Sequence, residues 1–127
     1  MREEIRVEEL AEPVSHYTDA VRVDDLLFVS GCIAVDGDGK LVGGDDVVAQ
    51  TRQVFANLER ILAAAGATFA DVAKVTVFLT DIDDRARINP VREEFFGAAR
   101  PASTLVEVSE LVLPDAKIEI ELVARIP

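Results

Sequence analysis

Near the end of the chain, "KIEIE" places Lys117, Glu119 and Glu121 on one face of an extended segment and Ile118 and Ile120 on the other, because side chains alternate along a strand. This has two readings. Either the face is solvated and polar, or Glu121, followed by Leu122, is partly buried at a subunit boundary. A carboxyl group there would hold its proton more tightly than usual and could move it near neutral pH. Ser30 and Gly31 end an earlier apolar run. The pair reads as a β-bulge, or as backbone that approaches a ligand beside a hydroxyl. Arg92 and Arg100 are anion anchors or ordinary surface arginines. Cys32 has no histidine close in sequence, which favours a small packed residue over a nucleophile.

Other chemistries find no residues. His16 is the sole histidine, and no Cys/His cluster has metal-ligand spacing. "DGDGK", residues 36–40, lacks the spacing of a phosphate-binding glycine loop. No cofactor and no metal are expected.

These side chains need a scaffold, and 127 residues suffice for one domain, 1–127. Half the residues are apolar, so a core can form. The 13 basic and 24 acidic side chains give a formal charge of −11. Nucleic-acid binding needs a basic footprint, and the basic residues here are scattered among acids. Partners are therefore expected to include neither nucleic acid nor an anionic membrane. The single cysteine allows no internal disulfide, which fits a reducing compartment. The charged start "MREEIRVEELAEP" has no apolar signal core, and no run approaches the roughly 20 apolar residues of a membrane span. A cytoplasmic location is expected.

"AVRVDDLLFVSGCIAV", residues 20–35, reads as two strands joined by a tight turn at Asp24-Asp25. "KLVGG" can add a short strand. Asp45 is a plausible N-cap for a helix whose stripe is Val47, Thr51, Val54, Leu58, Ile61 and Ala65, with Gly66 as its stop. "TFAD" resembles a capping box. "AKVTVFLTD", residues 73–81, is apolar enough to be buried on both faces. Asn89 and Pro90 read as the N-cap and first residue of a second helix. Two alternating strands, "STLVEVSEL" and "KIEIELVARI", follow. The order implies an α+β fold: a mixed sheet with two helices packed on one face. The other face needs a cover, and an oligomer is the simplest one.

Several segments, in order, resemble the RidA/YjgF family, also called the L-PSP endoribonuclease-like or reactive intermediate deaminase family. "HYTDAV" resembles PYSQAV, and "LLFVSGCI" resembles LVFVSGQI. "QTRQVFANLERILAAAGATFADVAKVTVFLTDID" matches nearly throughout. "INPVREEFF" resembles VNEVYAEFF, "RPASTLVEVSEL" resembles FPARSCVEVARL, and "AKIEIELVA" resembles VKIEIEAIA. The resemblance implies a chorismate-mutase-like α+β fold and a homotrimer with small-molecule ligand pockets at its subunit interfaces. For members with the full motif it implies hydrolysis of enamines and imines such as 2-aminoacrylate to a keto acid and ammonia.

Carried over by motif, the family's last-strand glutamate falls on Glu121. Its serine falls on Ser30, its tyrosine on Tyr17 and its asparagine on Asn89. Gly31 and Cys32 complete the SGQ segment, with Cys32 in place of glutamine. The family arginine that grips a substrate carboxylate falls on Ser103. Arg92 stands where the family has a tyrosine. "SELVLPDA" is longer than the usual ARLPKDV stretch. These departures cluster on pocket motifs, which implies a rebuilt pocket in which Arg92 or Arg100 could supply the missing cation. Two functions follow as expectations: a hydrolytic deaminase of a different enamine or imine, or a non-catalytic trimer that binds a metabolite or a partner. RNA cleavage is disfavoured by the charge and by the lack of a histidine pair.

Overall fold

The computed structural model describes residues 1–127. The elements run β1 (Arg2–Ile5), β2 (Ala20–Val23), β3 (Leu26–Cys32), α1 (Val47–Ala64), β4 (Val72–Leu79), α2 (Arg85–Phe96), β5 (Ala102–Glu107) and β6 (Ile118–Arg125). The strands form one six-stranded mixed sheet in the order β1-β2-β3-β6-β4-β5. Only β4 and β5 run parallel, with α2 as the crossover between them. No helix is long and apolar enough to cross a membrane.

Strand alternation creates the core. Leu27, Val29, Val75, Val77, Leu79, Ile118, Ile120, Leu122 and Ala124 are all buried. They meet the α1 stripe of Val47, Val54, Phe55, Leu58, Ile61 and Leu62, and Ile88 and Val91 from α2, in a single apolar cluster. Both helices therefore lie on one face, as an α+β fold requires. The opposite face carries Val23, Leu26, Phe28 and Val106, all notably exposed for large apolar side chains. On β4, Lys74, Thr76 and Phe78 are only half-buried. The expected burial of this strand on both faces is not met within one chain.

Helix α1 is capped one residue later than expected. Gly43 and Gly44 turn the chain with φ of 98° and 56°, and Asp46, not Asp45, then accepts from the Val48 and Ala49 N–H groups at 2.9 and 3.3 Å. Gly66, at φ 77°, ends the helix. The side chain of Asp71 accepts from the Thr68 N–H at 2.8 Å, as a capping box should. The amide of Gln50 is buried. It donates to Gly44 O and Asp115 O at 2.6 and 3.0 Å and accepts from Lys117 N–H at 2.8 Å, tying α1 to the approach to β6.

Other boundaries differ from expectation. Strand β1 is mostly charged, and a charged edge strand carries no apolar alternation to read. "KLVGG" forms only an isolated bridge, Val35 to Leu41, because Asp36 folds the loop by accepting from Asp38 and Lys40 N–H. Helix α2 begins at Arg85, so Asn89 is not its cap and Pro90 lies inside it. A 3-10 turn at Ile82–Asp84 starts the helical path early, fixed by Asp81 accepting from Asp83 N–H at 3.0 Å. Burial of Ile88 and Val91 then holds the helix despite the donor that proline lacks.

Candidate functional site

The candidate residues gather in two groups. The first surrounds the end of β3. The β3–β6 register shifts between Val29 and Cys32, so Ser30 and Gly31 form a bulge opposite Glu121. The glycine is required: a β-carbon at residue 31 would stand 2.5 Å from Glu119 Oε2. The carboxylate that lies against the bulge is thus that of Glu119. Burial, and then the neighbouring charge of Glu121, raise the Glu119 carboxyl above the usual carboxylate range. Glu121 is exposed on the open face, where it lines a shallow depression with Phe28, Lys74 and Thr76.

Ser30 Oγ donates to Thr18 O at 2.6 Å, and its N–H donates to Asp19 O at 3.0 Å. The hydroxyl is left as an acceptor. Asp19 is buried and is fixed by Arg6 Nη1 at 2.7 Å and Val7 N–H at 2.8 Å. This clamp anchors the segment that carries Tyr17, whose side chain is 47% exposed beside Thr18. Cys32 packs against the core, and burial pushes its thiol up to about 12, so it is no thiolate at neutral pH.

The second group lies between α2 and β5. Asn89, Arg92, Arg100 and Ser103 line one cleft of about 580 Å³. Ser103 pairs with the buried Val75, so it faces the helices. Arg92 Nη2 donates to Ser103 Oγ at 2.9 Å. The guanidinium is half-buried, and burial lowers its proton affinity. Asn89 Nδ2 donates to Glu93 Oε1 at 3.1 Å. Arg100 is exposed and forms no hydrogen bond or ion pair. A separate polar cleft of about 450 Å³ is lined by Asp45, Glu110, Asp115 and Lys117, and none of the candidate residues reaches it.

In one chain the two groups stay apart. Ser103, Val75, Leu122 and Val29 lie at one level across the sheet. Three inter-strand steps separate β3 from β5, roughly 14 Å at the usual spacing. Glu119 points to the open face, and Ser103 to the helix face. The prominence of Glu119 over Glu121 was not readable from sequence, since both share one strand face and only the bulge distinguishes them.

A six-stranded mixed sheet backed by two helices, with a carboxylate at a glycine bulge and a guanidinium in an edge cleft, defines a small α+β protein. The chain belongs to the RidA/YjgF family: the Endoribonuclease L-PSP family model matches residues 8–126. It is 44% identical over 125 residues to a RutC family protein of Pyrococcus horikoshii, covering 98% of both chains. It is 40% identical over 114 residues, 90% of each, to the 3-aminoacrylate deaminase RutC of Acinetobacter baylyi. The crystal structure of E. coli TdcF with bound serine superposes with a TM-score of 0.88 at 33% identity, covering 97% of this chain and 98% of that one.

Proposed function

We propose that this protein is a hydrolytic deaminase of a small enamine or imine. The observation that carries the reading is the Glu119 carboxyl held against Gly31, with its proton affinity raised by burial. Hydrolysis of an imine adds water to the C=N carbon, gives a carbinolamine, and expels ammonia to leave a carbonyl. One proton must leave the attacking water and one must reach the departing nitrogen. A carboxyl group tuned toward neutrality performs both transfers in turn. Ser30 and Gly31 shape the approach to it. The relative that acts on 3-aminoacrylate, an enamine acid, supports this class of substrate.

We further propose that the working unit is a homotrimer with its pockets between subunits. Two features support this: the apolar open face, and the separation of the Glu119 group from the Arg92 cleft within one chain. A site that uses both groups needs two copies.

A second reading, a non-catalytic binding module, is favoured by Ser103, which stands where family members place the carboxylate-gripping arginine. One assay separates the two. 2-Aminoacrylate is generated in situ from serine by a dehydratase, 3-aminoacrylate is supplied in parallel, and loss of each is followed with and without the protein. Acceleration of either that disappears in Glu119→Gln is the expected result. No acceleration of either enamine overturns the deaminase reading.

A further inference from the structure

Arg92 is an unusual charge in this molecule. The chain carries 24 acidic side chains, yet none forms an ion pair with Arg92. Its guanidinium is half-buried, and a partly desolvated cation without a counter-charge is costly to maintain. Its one hydrogen bond runs to a neutral hydroxyl, Ser103 Oγ at 2.9 Å. That bond fixes one Nη and leaves the remaining donors of the planar fork free. They border the cleft of about 580 Å³ that also contains Asn89 and Arg100. The one carboxylate among the lining residues, Glu93, is engaged by Asn89.

We propose that Arg92, carried on α2 and steadied by Ser103 on β5, is the clamp that grips the carboxylate of the ligand. Arg is the side chain whose fork matches a carboxylate with two parallel hydrogen bonds. Arg100 lines the same cleft but is exposed and unsupported, so it contributes only to the local field. The support matters because a clamp held before binding loses less side-chain freedom on binding. Ser103 is then a positioning residue: its hydroxyl holds the guanidinium at the mouth of the cleft. For the use made of the bound carboxylate the inference rests on the deaminase reading, but binding is measured without turnover.

The test is calorimetric titration with 2-oxobutanoate and its neutral methyl ester. The protein should bind the acid at least tenfold tighter than the ester. Arg92→Gln should reduce acid affinity to the level of the ester and leave ester binding unchanged. Arg92→Lys should recover part of the loss, since a point charge replaces the fork. Adding Ser103→Arg to Arg92→Gln should restore acid binding. Undiminished acid binding in Arg92→Gln, equal loss of both ligands, or no preference for the acid in the parent protein each overturns the clamp. A protein that binds acid through Arg92 but turns over no enamine retains the clamp and loses the deaminase reading.

Discussion

The Glu119 carboxylate rests against the α-carbon of Gly31, and a single methyl group on residue 31 would stand 2.5 Å from Oε2. Gly31→Ala should therefore displace the carboxylate while leaving the sheet paired. An ångström of misplacement at a reacting centre costs about a hundredfold. Enamine turnover should fall by about that factor, with an unchanged circular dichroism spectrum. Full activity in this variant would show that the carboxylate position is not used.

The two carboxylates of the last strand should separate cleanly in assay. Glu119→Gln removes the group beside the bulge, and loss of a positioned acid–base group lowers the rate about 10²–10⁴-fold. Glu121→Gln changes an exposed side chain opposite Thr76 and should cost far less. The ranking of the two rate constants is the measurement.

The stability difference between Glu119→Gln and the parent should depend on pH in a defined sense. The folded carboxyl holds its proton more tightly than in the unfolded chain. Between the unfolded and the folded pKa the native state therefore binds more protons than the unfolded chain, and stability falls as pH rises through that interval. Glutamine carries no such penalty. The Tm of the variant minus that of the parent should increase from pH 4 to pH 7, and a constant difference would contradict the burial assigned to this group.

Gln50→Leu should destabilise the fold. It strands Gly44 O, Asp115 O and Lys117 N–H, which the amide now satisfies. Leaving such groups unpaired costs about 2 kcal/mol, and Tm should drop by roughly 5–10 °C. Differential scanning calorimetry reads the shift directly.

Phe28→Glu should dissociate the proposed trimer. Phe28 is 45% exposed on the open face, and a carboxylate placed in a seam there must be desolvated, which opposes association. Light scattering coupled to size exclusion should report monomer for the variant and trimer for the parent.

What could be read from sequence followed from regular spacing. The α1 stripe, the Asp24-Asp25 turn and the last strand are local patterns, and each forms where its pattern lies, whereas "STLVEVSEL" is a strand only as far as Glu107. Helix α2 starts ahead of Asn89-Pro90, a strong local start signal, because burial of Ile88 and Val91 and the turn fixed by Asp81 set its start. Strand β1 offered no alternation because it is charged and at an edge. The site was less legible than the fold. The distinction between Glu119 and Glu121 depends on a bulge in another strand. The Arg92–Ser103 contact depends on the α2 crossover, which returns the chain so that residues 11 apart meet.

The order of the sheet also governs how the chain assembles as it is made. Strand β6 sits between β3 and β4, so the most recently synthesised strand is the one that joins the two halves. Until residues 118–125 leave the ribosome, the β1–β3 meander and the β4–α2–β5 unit share no hydrogen-bonded seam. Two of the three hydrogen bonds of Gln50 wait as well, because those partners lie 65 and 67 residues downstream. During synthesis the apolar flanks of both halves remain open, and they close in one late step when the central strand arrives.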